Sequence, residues 1–253
     1  MSPFSRRHFL QTTLAAALLA APAFAQDKKN QDKKNQGKKN QDQKKKKRAE
    51  RPEFQPVEDV AGLPRVLLIG DSISIGYHLA VREALAGKAN VHRPPTNCGP
   101  TTTGVEQIDT WLGEGKWDVI HFNFGLHDLK YVNDQGQNVD PSKGHPQVSL
   151  ANYEKNLESL VARLKKTGAK LIFATTTPVP EGSSARRFGD ERKYNDAALA
   201  VMKQHGVAID DLHALALPKL KEIQLPANVH FKPAGSKLLG QQVAEEISKA
   251  LGS

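Results

Sequence analysis

The chain has 253 residues, 25% of them charged and 6% aromatic, with a formal net charge of +9 and one cysteine. Cys98, being alone, excludes an intramolecular disulfide. The positive excess lies in the first 53 residues and the rest is charge-balanced, so the basic total is no argument for a nucleic-acid-binding body.

Residues 1–25 read as a Tat-type signal peptide. Arg6 and Arg7 precede the apolar run "LAAALLAAPAF", and "AFA" ending at Ala25 is a small-residue cleavage site. That run is too short to span a bilayer, and no other stretch approaches the roughly 18 apolar residues required. The expectation is export to the periplasm or beyond, with no transmembrane segment. Residues 26–53 follow as a Lys-, Gln- and Asn-rich arm built on "QDKKN" repeats. The arm has no aromatic or β-branched residue with which to offset the entropy of ordering, so disorder is expected. It reads either as a solvated tether or as an electrostatic contact with an anionic envelope or polysaccharide.

Residues 54–253 are of a size for one domain. "RVLLIG" is a continuous apolar run, as in a strand buried on both faces, and "GYHLAVREALAG" follows with helical spacing. "NVHRP" is a second strand, "GVEQIDTWLGEG" a helix and "WDVIHFNFG" a third strand. "SLANYEKNLESLVARLKKTG" has a serine cap and a glycine stop, and "KLIFATTTPV" is a fourth strand. "DERKYNDAALAVMKQHG", "VAIDDL" and "PAGSKLLGQQVAEEISKAL" complete the chain as helix, strand and helix. The alternation predicts an α/β fold, a parallel sheet with helices on both faces, whose chemistry sits beyond the carboxyl ends of the strands.

Three segments reach that edge. "GDSIS" places Ser72 on a turn between strand and helix, where it reads as a nucleophile or as an ordinary helix cap. "GLHDL" brings Gly125, His127 and Asp128, and "VHF" supplies His230. A serine needs a base within hydrogen-bond reach, and its attack on a carbonyl needs donors aimed at the oxyanion.

"GDSIS", the glycine in "NCGPTTTG", "GLHD" and "VHFKPAG" together resemble the four blocks of the SGNH, or GDSL, hydrolases, over roughly residues 65–250. The resemblance implies a flavodoxin-like three-layer α/β/α fold with a five-stranded parallel sheet, and hydrolysis of esters, often acyl groups on carbohydrates or lipids. By motif position it implies Ser72 as nucleophile and His230 as base. The implied oxyanion donors are the Ser72 amide, the Gly99 amide (with Gly104 as the alternative) and the His127 side chain. Asp71, Asp128 and Asn228 are candidate supporting residues.

Two departures stand out. Where the family has asparagine this chain has His127, whose neutral imidazole can still donate one hydrogen bond and whose protonated form would tie activity to low pH. Where the family has an aspartate three residues before the histidine, this chain has Ala227. The His230 ring must then be oriented by a backbone carbonyl, by Asn228, or by an acid from another segment such as Asp210 or Asp211.

His78, His92 and His121 read as structural, as do Trp111 and Trp117. His121, His127 and Asp128 do not amount to a metal site by themselves, and neither metal nor organic cofactor is called for. Two long loops, "HDLKYVNDQGQNVDPSKGHPQV" and "TTTPVPEGSSARRFGDERKYND", share the same rim, and Arg186, Arg187 and Arg192 of the second could meet an anionic sugar. The sequence therefore predicts an exported serine esterase that removes short, acetyl-like groups from a small-molecule or polysaccharide ester, with a carbohydrate ester as the expected substrate. The alternatives are a non-catalytic carbohydrate- or envelope-binding protein on the same fold, and an acyltransferase. The oligomeric state is not legible.

Overall fold

The computed structural model describes residues 51–252. The expected leader (1–25) and most of the expected arm (26–53) lie outside the described residues. Pro52–Phe54, at the end of the expected arm, form a 3-10 turn. The guanidinium groups of Arg51 and Arg93 lie 4.9 and 5.5 Å from the centroid of the Phe54 ring and tie this turn to the body.

Among the described residues, seven strands run in chain order: β1 (Arg65–Ile69), β2 (Asn90–His92), β3 (Val119–Phe122), β4 (Tyr131–Val132), β5 (His145–Pro146), β6 (Lys170–Ala174) and β7 (Ala208–Asp210). Five form one parallel sheet in the order β2-β1-β3-β6-β7, and β4 pairs with β5 as a small antiparallel ladder in the loop after β3. The expected doubly wound α/β fold is present. β1 and β3 occupy the middle of the sheet, in register from Val66 opposite Val119 to Ile69 opposite Phe122. Their side chains are buried on both faces, which is why "VLLI" and "VIHF" show no alternation of apolar and polar residues.

The helices are α1 (Ser72–Ala84), α2 (Thr101–Leu112), α3 (Leu150–Lys165), α4 (Asp190–His205), the short α5 (Leu212–Ala216) and α6 (Leu220–Ile223), and α7 (Pro233–Leu251). α1 and α7 pack together on one face of the sheet, and α2, α3 and α4 cover the other. Ser149 caps α3 by accepting from the Asn152 N–H, and Pro233 occupies the first turn of α7, as the sequence predicts.

Two helices start earlier than their apolar periodicity indicates. α1 begins at Ser72 because the Asp71 carboxylate accepts the Ile73 N–H at 2.9 Å. α2 begins at Thr101. β3 and β6 are shorter than their apolar runs, because polar side chains take over from the ladder at their ends. Asn123 Nδ2, for example, donates to the Ala174 carbonyl at 2.8 Å.

In this strand order the chain leaves β1 toward one side of the sheet and reaches β3 on the other, so a crevice opens where the carboxyl ends of these two strands part. Gly70–Ser72 and Gly125–Asp128 both emerge there. Gly125 has φ of +149°, and a Cβ on it would stand 2.0 Å from Thr176 Oγ1, which itself donates to the Phe124 carbonyl. Gly125→Ala combines an unfavourable backbone with an overpacked contact and is expected to cost at least about 2 kcal/mol. Urea unfolding should show a lower midpoint at unchanged slope.

Candidate active site

Ser72 is the first residue of α1, with Asp71 as the N-cap. The serine is thus not the cap that the simplest sequence reading allows. Its N–H has no acceptor within the helix and faces outward at the positive end of the helix dipole. Its Oγ lies 2.8 Å from His230 Nε2.

His230 comes from a short hairpin between α6 and α7. The Leu225 N–H donates to the His230 carbonyl at 3.0 Å, and the Lys232 N–H to the Ile223 carbonyl at 2.8 Å. Buried Gln224 anchors the hairpin, donating from Nε2 to the carbonyls of Pro178 and Val229. This ties the histidine to the segment leaving β6. Within the hairpin, Asn228 Oδ1 accepts the His230 backbone N–H at 3.0 Å and lies 2.7 Å from His230 Nδ1. A backbone N–H can only donate, so the Asn228 atom it meets is the carbonyl oxygen. Nδ1 must then carry the ring proton, and Nε2 is left as the acceptor for the Ser72 hydroxyl. Of the orienting groups left open by Ala227, the structure places Asn228 against the ring. Ala227 itself adopts φ of +50°, which sends the chain back toward His230.

The two acids considered for that role are occupied elsewhere. Asp210 is fully buried with its carboxylate 2.9 Å from His121 Nε2, and Asp211 caps α5 through the Ala214 N–H while accepting from Thr175 Oγ1. His78 is buried in α1, where burial pushes it down to about 2 and keeps it neutral. His92 pairs with Asp59 and stacks edge-on against Trp117, which is itself buried. Trp111 packs on the core. These groups stand outside the serine–histidine pair, in agreement with the structural reading.

Three segments supply candidate oxyanion donors. Gly99 has φ of +67°, and its N–H is held by the exposed Asn97 side chain at 3.0 Å. Gly104 is not an alternative, because its N–H is spent on the Pro100 carbonyl inside α2. It is glycine for packing: a Cβ there would meet the Phe124 ring at 2.8 Å. His127 is half-buried and has no protein hydrogen bond among the described residues. Burial lowers its proton affinity, and the charges of Lys130, Arg186 and His230 act in the same direction against the opposing pull of Asp71. The neutral imidazole is therefore its form at neutral pH, the one of the two forms that offers a single ring N–H.

Asp128 does something the sequence only hints at. α2 opens on Pro100, which has no capping side chain. The cap is supplied from outside: Asp128 Oδ1 accepts the Thr101 N–H at 2.9 Å and the Thr101 hydroxyl at 2.5 Å, and Asn156 donates to that hydroxyl at 3.0 Å. The Gly99 and His127 segments are thereby pinned together. Thr101, Asn156 and Asn97 were missed by the motif reading. A helix starting with an uncapped proline was the available signal for the first two.

The parallel α/β/α layering, with a serine and a histidine meeting at the carboxyl edge of its central strands, defines the SGNH, or GDSL, class of hydrolase. Residues 68–238 match the GDSL-like lipase/acylhydrolase family, and the chain belongs to that family. In fold it is similar to a lipase/acylhydrolase from Enterococcus faecalis, at 19% identity over 74% of this chain and 96% of that one, with a TM-score of 0.61. It is also similar to an acetyl xylan esterase, AlAXEase, at 15% identity over 72% and 99% of the two chains and a TM-score of 0.59. A GDSL-like lipase from Bacteroides thetaiotaomicron gives 13% identity over 81% and 97%, with a TM-score of 0.58. No curated protein matches the chain. Among the described residues, no helix is long and apolar enough to cross a membrane.

Asp128 also marks a pH dependence. Its Oδ2 is buried without a partner, and burial raises its carboxyl from 3.8 to about 7, against the lowering effect of the Thr101 hydrogen bonds. Between those two values the folded state holds a proton that the unfolded state has lost, so stability falls as pH rises through the window and levels off above it. Asp128→Asn is expected to flatten this slope. Urea unfolding of both proteins at about pH 5 and about pH 8 measures the difference.

Proposed function

We propose that the protein is an exported serine esterase that removes short acyl groups, such as acetyl, from carbohydrate. The observation that carries this reading is the 2.8 Å contact between Ser72 Oγ and an His230 Nε2 whose free lone pair is enforced by Asn228. In the proposed reaction Ser72 Oγ attacks the ester carbonyl while Nε2 takes its proton. The tetrahedral oxyanion is met by the Ser72 N–H and by an N–H of the neutral His127 ring. The Gly99 N–H joins them when the exposed Asn97 side chain turns into solvent. The imidazolium then protonates the departing alcohol oxygen and the acyl-enzyme forms. Water, deprotonated by Nε2, attacks that ester, and the collapse returns the proton to Ser72 Oγ with release of the carboxylic acid. No step calls on a metal or organic cofactor.

Asn228 orients the ring but, unlike a carboxylate, adds no negative charge beside the imidazolium. The centre is therefore a milder version of a serine–histidine–acid relay. The open setting of the pair supports a bulky substrate, since His230 and Asn228 are both exposed. Export rests on the Arg6–Arg7 leader, and the carbohydrate on that address together with the acetyl xylan esterase among the similar folds. The fit between Ser72, His230 and Asn228 favours the esterase over a non-catalytic binder on the same fold.

Purified protein is expected to hydrolyse nitrophenyl acetate and to be labelled by a fluorophosphonate at Ser72. Ser72→Ala should lose the labelling and at least about a thousandfold in kcat. Intact wild-type protein that neither hydrolyses nor labels would refute the proposal. Asn228→Ala is expected to lower kcat by roughly tenfold to a hundredfold through loss of ring orientation. Asn228→Asp puts a negative charge against Nδ1–H, favours the imidazolium, and so should move the acidic limb of the kcat/KM profile to higher pH.

A further inference from the structure

Beside the serine–histidine pair, the two long rim loops line an open, polar cleft of about 650 Å³, formed by Asn138, Asp140, Ser142, Ser183, Arg186 and Arg187 among others. The cleft adjoins the candidate site on two sides. Arg186 Nε donates to the carbonyl of Leu126, the residue before His127, at 2.9 Å. Gly182, on the cleft wall, backs onto Ala227, the residue before Asn228: a Cβ on Gly182 would lie 3.2 Å from that of Ala227. Arg192, by contrast, lies on the exposed side of α4 and does not line the cleft.

The negative charge acting on Arg186 is the Asp71 carboxylate, which is buried and committed to capping α1. Among the described residues neither Arg186 nor Arg187 forms an ion pair. Arg186 is half-buried and meets only carbonyl oxygens, those of Leu126 and Ser184, which leaves most of its five N–H groups without an acceptor. Arg187 is held with its guanidinium carbon 5.3 Å from the centroid of the Tyr131 ring, and Tyr131 is fixed in turn by its hydroxyl donating to Asp190. The one carboxylate on the lining, Asp140, accepts from the Ser142 N–H and hydroxyl and leaves the cleft net positive. Ser183 is buried with a hydroxyl that has no hydrogen-bond partner. The segment is also strained: Ala185, between Ser184 and Arg186, is buried at φ of +53° and is held there by the Tyr131 N–H donating to its carbonyl. A polar pocket with two anchored, unpaired guanidinium groups and an unsatisfied hydroxyl is complementary to a carboxylate on a hydroxylated ligand.

We propose that this cleft is a subsite for the carboxylate of an acidic sugar, so that the ester substrate is an acylated, uronate-containing saccharide. This assignment rests on the esterase reading for the word "ester" but not for the binding itself, and the two can be tested apart. Binding is measured on Ser72→Ala protein by calorimetry, with a galacturonate oligosaccharide and a neutral xylose oligosaccharide of the same length. The expected result is at least about tenfold tighter binding of the acidic oligosaccharide, with the preference shrinking as salt is added. Adding Arg186→Gln and Arg187→Gln should abolish the preference. Asp140→Asn, which removes the lining's negative charge without touching either arginine, should strengthen it.

Equal binding of the two oligosaccharides, binding of neither, or a preference indifferent to these substitutions would overturn the subsite. Nitrophenyl acetate hydrolysis by the wild type reads the esterase proposal separately. Turnover of that ester without acidic preference removes the subsite alone, and acidic preference without turnover leaves the subsite standing on a non-hydrolytic protein.

Discussion

The oxygen of the Asn228 side chain accepts from both the backbone N–H and the ring Nδ1 of His230, and the protonation pattern of the whole centre follows from that double contact. The backbone N–H fixes which end of the amide is oxygen, the oxygen fixes the tautomer, and the tautomer makes Nε2 an acceptor for Ser72. A carboxylate would do the same and add charge. An apolar residue would leave the ring free to choose the other tautomer, with Nε2 protonated and useless to the serine. In a chain with alanine three residues before its histidine, the asparagine two residues before it is the shortest local solution.

That contact matters only because the fold brings its partners together. The strand order sets the ends of β1 and β3 side by side, and the buried Gln224 holds the histidine hairpin against the segment leaving β6. Glycine at position 125 lets the chain leave β3 past Thr176, and Asp128, three residues later, locks onto the start of α2. The serine, the Gly99 turn and the His127 loop are therefore parts of one hydrogen-bonded rim, not three independent loops.

The middle of the sheet and its helices were legible because β1, β3 and β6 are apolar runs and each long helix carries its own periodicity and stop. By contrast, β2 and β7 are three-residue strands placed mainly by the alternation around them. Helix starts were read too late at α1 and α2 for the same physical reason: their first turns are polar and are held by capping, which hydrophobic spacing does not record. At the site, Ser72 and His230 were visible as motif positions, and Asn228 was visible as one of several candidates. Choosing Asn228 over Asp210 or Asp211 needed the third dimension, since only there is Asp210 seen to be committed to His121. The exclusion of Gly104 likewise depends on where one N–H points, and the unpaired state of Arg186 and Arg187 on what does not approach them. A sequence lists charges without saying which are neutralised.

The carboxylate that starts α2 belongs to a residue 27 positions further along the chain. During synthesis Thr101 therefore emerges well before its partner, and its first turn has only Pro100 behind it. Until the segment following β3 has been made and docked, that turn gains nothing from being helical. The second helix thus depends on a later part of the chain despite its early place in the sequence, and the glycine turn in front of it is held in place only once the segment after β3 has docked.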